Sequence, residues 1–587
     1  MILDLLFAGL VLTIVVVVGL KRHRAASGPV ERFTAGRQLS WLTLGASLAA
    51  SSMSADTPLL IAGAVYTDGL AGNWFWWAGA PGFLATLLFF ARLWRRSGVL
   101  TEVEIFRLRY GTGDAARRYR VFQAFLEGIV LNVLVLASNG YAFGLILAAM
   151  LKRWHLDVHP NLAAWLTIAC FVAAAGYALL VGFRGLVKSD AAEFFISLIA
   201  GAILAGVAIA GLPEGLASLR TLETSRAGSS VFTAWPAQDP LAPLLLLTLG
   251  WWHSAPGRNM LVQRVVASRD ERSATLTVAT FVVFHFLIRP WGWYLIGAAA
   301  LFYLPAHSNP DQAMPALAGS LLPQGLFGII LAVTALAFMG CVNSRLNYGA
   351  SYMVNDVALA FRPSLSTKST RRIEVAVVLI LTLTGIALAL FGITSSIRAL
   401  YQFLTMMLAG TGFVAIARWY WWRTTILCEV ASLASAAVIA CVALLVADIS
   451  QPADFAVAVA INFTAGVTVT IIAAYAGKPV PLPLLHKFHD KVSPGGPGWR
   501  EFADSKSQNL PTLALQWLLA NCALFSTILA CIRLLALDVV QALLLLCVAA
   551  VCIASFVWLA RRIQARTNAT SAWRASTVQP GKDLSDW

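Results

Sequence analysis

Three observations predict an all-α integral membrane protein. Of the 587 residues, 59% are hydrophobic and only 12% charged, with a mean hydropathy of +0.75, whereas soluble chains carry about 25% charged residues. Apolar runs recur from residue 3 to residue 560, each of the ~20 residues that a helix needs to cross a bilayer. Lys and Arg are concentrated in alternate loops between those runs, the asymmetry that fixes which side a loop occupies.

A window of bilayer length places fifteen spans, at 3–20, 42–66, 73–92, 121–151, 160–183, 189–211, 240–262, 275–303, 324–360, 373–393, 396–418, 425–448, 453–477, 511–535 and 538–560. The first run has Asp4 near its start, the basic Lys21-Arg22-His23-Arg24 behind it and no small-residue cleavage site. It reads as a retained helix rather than a secretory signal. With the N-terminus outside, only Lys152, Arg153, Arg220, Arg226 and Arg533 lie in outer loops, while Arg289, Arg345 and Arg398 lie within or at the edges of helices. All other Lys and Arg fall inside, which predicts a multi-pass protein of the cell membrane, in a bacterial inner membrane, with a cytoplasmic C-terminus.

The net charge of +15 therefore sets topology in a lipid bilayer, and no nucleic-acid partner is implied. The eight cysteines all fall in apolar runs without a C-x-x-C pair and read as small core hydrophobes. No loop reaches the ~50 residues of the smallest domains, and no G-x-x-x-x-G-K-[ST] loop occurs. With no H-E-x-x-H, paired catalytic carboxylates or Ser-His-Asp arrangement, the chain does not read as an enzyme. No organic cofactor is implied, and any work must come from solute or ion gradients.

Two apolar runs are interrupted. One carries Ala49-Ala50-Ser51-Ser52-Met53-Ser54-Ala55-Asp56-Thr57-Pro58, the other Trp251-Trp252-His253-Ser254-Ala255-Pro256-Gly257. Unwound backbone at membrane depth is tolerated only where it faces protein or a water-filled cavity, and broken helices at matching places of two halves point to a transporter's midplane site. The breaks lie five spans apart. Ser54, Asp56 and Thr57 in the first, Trp252, His253 and Ser254 in the second, and Glu127 and Asn132 in the fourth span are thus the candidate solute-binding residues. Asp56 suits a proton carrier, a cation ligand or the partner of a substrate amine; the plainer alternative is a cap on the second half-helix.

Several motifs resemble those of the sodium:solute symporter family: Phe33-Thr34-Ala35-Gly36-Arg37, Met53 to Pro58, Gly63 to Tyr66 with Gly69, and Asn73-Trp74-Phe75-Trp76-Trp77. Thr101-Glu102-Val103-Glu104, Arg109-Tyr110-Gly111, Arg289-Pro290-Trp291, Arg418 to Arg423 and Pro494 to Trp499 resemble one bacterial branch of it. The resemblance implies a leucine-transporter-like fold with a five-plus-five inverted repeat. Its parts are a leading helix and cytoplasmic loop (1–41), a first half (42–211), an outer loop (212–239), a second half (240–418), and four C-terminal helices with a cytoplasmic loop (478–510) and tail (419–587).

The resemblance also implies a sodium site between the first and eighth core helices, with carbonyl ligands at Ala50, Met53 and Ala337 and a hydroxyl pair at Gly340 and Cys341. Neither of the last two carries a hydroxyl. A displaced site would use Ser344; otherwise a proton or a counter-solute is the coupling partner. Arg345 lies one turn beyond Cys341, and a guanidinium so deep in an apolar helix should face the bundle interior or a cavity. It stands in for the ion, meets a substrate carboxylate, or snorkels and pairs with an acid such as Asp190. Asp190 itself matches an aspartate on the family's inner cation path, or favours a helix N-terminus.

His285 and Arg289 read as an internal brace, and His155 with His159 lacks a third ligand for a metal. The Asn73–Trp77 and Trp419–Trp422 clusters read as interfacial belts. The function expected is a secondary transporter of a small polar organic solute, proton-coupled or exchange-type. The alternatives are a sodium symporter with a displaced site and a transporter-shaped solute sensor or accessory subunit.

Overall fold

The computed structural model describes all residues except 21–28, 158, 160, 224–228, 237–238, 306–307, 393–395, 503–507 and 578–587. Among the described residues every regular element is helical. The principal helices are α1 (Ile2–Leu20), α2 (Trp41–Ser51), α3 (Asp56–Asp68), α4 (Leu70–Ser97), α5 (Asp114–Arg153), α6 (Leu162–Ala210), α7 (Leu241–Leu245), α8 (Asn259–Val266), α9 (Glu271–Tyr303), α10 (Leu326–Phe361), α11 (Thr367–Phe391), α12 (Ile397–Ala409), α13 (Gly412–Tyr420), α14 (Ile426–Val446) and α15 (Pro452–Ala476). All of these belong to one compact unit, Met1–Leu510. A second unit, Pro511–Trp587, holds α16 (Leu510–Leu535) and α17 (Val539–Thr577), and Asp538 caps the latter by accepting the Gln541 N–H.

Eleven described helices are long and apolar enough to cross a membrane, or thirteen when each of two bent pairs is one span. Three of the fifteen expected spans differ. Spans 160–183 and 189–211 are joined in α6, whose single non-helical residue, Gly182, has φ 65 and ψ 176. A glycine adopts that conformation without a Cβ penalty, so the chain redirects in one residue and Arg184 and Lys188 are helical. Span 240–262 is divided among α7, a following π-turn, a 3-10 turn and α8, none of bilayer length.

The bent pairs are α2–α3, at 63°, and α12–α13, at 42°. The first is the expected break; the second, around Gly410 and Thr411, is an addition. There Gly466 of α15 lies so close that a Cβ on it would sit 1.9 Å from the Gly410 carbonyl oxygen, and the Gly410 carbonyl also accepts the Ser432 hydroxyl at 2.8 Å.

Asp4 is fully buried and serves the distant α10. It accepts N–H bonds from Gly325 at 2.6 Å and Gly328 at 3.3 Å, and the Trp154 indole at 3.1 Å, so it caps that helix from another chain segment. Asp4→Ala should cost about 1.5–3 kcal/mol, the worth of hydrogen bonds to a charged group, read as a lower melting temperature in detergent. At the start of α9, Asp270 accepts the Ser273 N–H at 2.7 Å, and this backbone bond pulls its carboxyl down to about 2.

Two readings of the sequence are corrected by packing. The tryptophan clusters are not belts: Trp74, Trp77 and Trp419 are buried, with Trp77 Nε1 donating to the Tyr294 hydroxyl and Trp74 Nε1 to the Ala234 carbonyl. Buried indoles usually find acceptors, and Trp77 and Trp74 do so inside the bundle, whereas the Trp419 indole N–H has none among the described residues. Among the cysteines, Cys341 and Cys428 are buried, whereas Cys441, Cys522 and Cys547 are exposed on outward helix faces, where a thiol serves as a lipid-compatible surface group.

Candidate functional site

Both breaks border one cavity of about 360 Å³. In the first, the helix stops at Ser51 because Ser52 and the following residues leave the helical path, and α3 restarts at Asp56. The groups freed by unwinding are satisfied by distant side chains, as membrane depth requires. Arg289 donates to the Ala49 carbonyl at 2.6 Å and bonds His285 Nδ1 at 2.9 Å, the brace expected of that pair. Asn139 of α5 accepts the Ala55 N–H at 2.7 Å and donates to the Phe338 carbonyl on α10 at 3.1 Å.

In the second break, Gly257 has φ 82 and Asn259 φ 50, which turns the chain into α8. Thr86 of α4 donates to the Ala255 carbonyl at 2.8 Å, and the Trp94 indole donates to the Pro256 carbonyl. Gly82 allows this approach, since a Cβ there would lie 2.2 Å from Ser254 Oγ.

Six of the candidate residues line the cavity: Ser54, Thr57, His253, Ser254, Cys341 and Arg345. The others lie elsewhere. Asp56 is fully buried behind the wall, where its carboxylate accepts hydroxyls from Ser138 at 2.7 Å, from Tyr401 at 3.0 Å and from Ser54. Trp252 points away, stacked on Trp251 and packed against Phe463, because a 3-10 turn sends adjacent side chains in different directions. Glu127 sits in a π-bulge of α5 and is ion-paired to Arg258. Asn132 lies behind Arg345, bonding its backbone carbonyl at 3.0 Å and its guanidinium at 3.4 Å.

The expected ion-site residues separate in the same way. Ala50, Met53 and Ala337 are buried, and the Ala50 carbonyl accepts the Met53 N–H at 2.7 Å. Ser344 is not free for a displaced ion: its hydroxyl accepts Arg264 Nη2 at 2.8 Å, and the same guanidinium lies 3.5 Å from Asp190, which also accepts the Ser47 hydroxyl at 2.8 Å. Asp190 is therefore neither a helix-terminal acid nor the partner of Arg345. Arg264 belongs to an inner loop in the sequence reading; the break at Pro256 and Gly257 instead restarts a helix that carries it, 1% exposed, into the bundle.

The cavity wall is chemically lopsided. Its charged members are Arg258 and Arg345, with no carboxylate among them. Arg258 is neutralised by Glu127, which leaves Arg345 as the wall's uncompensated charge. The remaining surface is aromatic, with Trp76 stacked on His285 at 4.6 Å and Phe83, Phe281 and Phe286 around them. At the end bearing the basic loops, Glu102 accepts the Asn259 N–H at 2.6 Å and Arg418 pairs with Glu429 at 2.8 Å. Toward the opposite end a second cavity of about 420 Å³, lined by Asp68, Arg398 and Gln402, shares Phe75, Leu246 and Phe455 with the first.

Sequence reasoning missed Asn139, Ser138, Tyr401 and Arg264. The signal available was the rarity of polar side chains in apolar spans; which break each would serve is a property of the packing.

Comparison with known proteins follows the same lines. The profile of the sodium:solute symporter family matches residues 32–426. A sodium/glucose cotransporter of Vibrio parahaemolyticus is 24% identical over 72% of this chain and 81% of its own length. The sodium/iodide cotransporter of Homo sapiens is 26% identical over 61% of this chain, which spans 55% of that longer protein. These relatives are cotransporters, not enzymes. Among solved structures, a Na+-coupled sialic acid symporter in a substrate-bound outward-open state superposes with a TM-score of 0.64 at 18% identity, over 82% of this chain and 99% of that one. That likeness shows the shared fold.

Proposed function

The chain belongs to the sodium:solute symporter family, and we propose that it is a cell-membrane secondary transporter that moves a small polar organic anion by alternating access around the two broken helices. The single observation behind this reading is the cavity between the breaks, which holds one unneutralised guanidinium, Arg345, and no acid. A planar fork of donors matches a carboxylate bidentately, and the aromatic wall suits the apolar part of the solute. Cotransport by the relatives supports solute transport as the activity.

Coupling to sodium through the usual site is disfavoured by the missing hydroxyls at Gly340 and Cys341 and by Arg264 on Ser344. Sodium wants hard oxygen ligands, and a guanidinium already satisfies those present. Protons or a counter-solute are the coupling partners proposed. Uptake by liposomes that saturates with external sodium and ignores a pH gradient would sink this part.

The test of the whole reading is counterflow in proteoliposomes with a panel of small carboxylates, neutral sugars and amines. Carboxylates should exchange and the others should not; no counterflow with any of them would leave a solute sensor or accessory subunit. Asp56→Asn and His253→Ala should each reduce uptake about tenfold with expression intact, since one or two hydrogen bonds of ~0.5–1.5 kcal/mol each are lost at the breaks. Unchanged uptake in both would place the solute elsewhere.

A further inference from the structure

Most buried acids among the described residues have evident partners. Asp56 has its hydroxyls, Glu127 has Arg258, Asp190 has Arg264, Asp356 has Arg120, Glu374 has Arg32 and Glu429 has Arg418. Asp4 and Asp311 accept backbone N–H groups. Glu193 of α6 is different: it is 2% exposed, and its Oε1 has no hydrogen-bond partner.

Its carboxyl is aimed at Gly340 of α10. A Cβ at 340 would lie 2.7 Å from Glu193 Oε2 and 3.3 Å from Oε1, closer than a side chain there could sit. The absence of a side chain at 340, which removes a hydroxyl from the expected ion site, is thus what makes room for an acid from the neighbouring helix. A buried carboxylate oxygen without a donor is costly in such surroundings, and a carboxyl that carries a proton avoids that cost.

We propose that Glu193 is the proton-carrying group of this transporter, seated against Gly340 in the wall of the altered ion site. The proposal rests on the transporter reading above. In each cycle the carboxylate takes one proton from water on one side and gives it to water on the other, with an O–H bond formed and then broken.

The groups facing Glu193 are few. Asp190 lies one turn earlier on α6, held by Arg264 of α8. Tyr177, on the preceding part of α6, brings a buried hydroxyl beside Ser189, and Ser197, one turn on, has a buried hydroxyl without a partner. From α10 comes Gly340, next to the Cys341 thiol that lines the cavity. α2 brings Ser47 to Asp190, and α1 brings Gly19 against Tyr177.

The whole protein in liposomes tests this by two routes. The first needs no solute: the pH-difference infrared spectrum of the parent should contain a protonated-carboxyl C=O band that is lost in Glu193→Gln and displaced in Glu193→Asp. A band unaltered in Glu193→Gln overturns the proposal. The second uses whichever carboxylate supports counterflow. Glu193→Gln should retain counterflow, which needs no net proton movement, while accumulation driven by a pH gradient falls at least tenfold. Accumulation equal to the parent's would also overturn it. A parent without counterflow for any solute defeats the transport reading instead, and the infrared result still decides whether Glu193 titrates.

Discussion

Arg345→Gln should weaken binding of the transported carboxylate by roughly two orders of magnitude or more while leaving the folded yield unchanged. Truncating one partner of a desolvated, hydrogen-bonded charge pair costs about 2–5 kcal/mol, and each 1.4 kcal/mol is a factor of about ten. The fold should tolerate the change because the side chain is weakly held: among the described residues it makes a 3.4 Å contact to Asn132 Oδ1 and a bond to the neighbouring Cys341 thiol, and its Nε is unpartnered. Arg345→Lys keeps the charge but loses the planar fork, and should fall between parent and Gln. Isothermal titration or a thermal-shift series with the carboxylate that supports counterflow measures all three. Equal binding by parent and Gln would mean that Arg345 only bridges α10 to Asn132. Lys behaving like the parent would mean that charge alone is used.

Both helix breaks were legible because their cause is local. Ser51 to Pro58 and Trp251 to Gly257 gather residues that interrupt a helix within otherwise apolar runs, and the chain unwinds at both. The cavity followed from the breaks. What fills the altered ion site was not legible, because it depends on pairs made across the bundle. Arg264 and Asp190 are 74 residues apart, and Glu193 and Gly340 come from α6 and α10. Charge counting put Arg264 in an inner loop, since a basic residue shortly after Pro256-Gly257 looks extramembranous until the restart of α8 is known. The same holds for Arg109, also counted as a loop residue. It is fully buried, donating to the carbonyls of Arg418 and Trp422 at the end of α13, where a cation suits the exposed helix carbonyls. Glu193 was visible as an acid in an apolar helix, but Asp190 one turn earlier drew the attention that such a residue attracts. The partners made across the bundle and the empty Cβ position of Gly340 distinguish the two.

Arg264→Ala should be the most destabilising single substitution in the membrane core. It leaves Asp190 as a buried charge with only the Ser47 hydroxyl, one turn from Glu193, and breaking a buried pair from one side costs about 3–5 kcal/mol. Removing both charges together, as Arg264→Met with Asp190→Asn, should recover most of that loss, because the penalty lies in the orphaned carboxylate. The sequence reading offered Arg345 as one possible stand-in cation; it is Arg264 whose guanidinium touches Ser344 and Asp190, two of the expected ion-site residues. Sodium then provides a discriminating measurement. With the guanidinium gone, Asp190, Ser344 and Ser47 present oxygen ligands and a negative charge, so the melting temperature of Arg264→Ala should rise with sodium chloride and not with choline chloride. The parent should respond alike to both salts, since a ligand stabilises only a state that binds it. A parent already stabilised by sodium would show that the guanidinium and the ion coexist, and the altered site would then have to be read as a working sodium site.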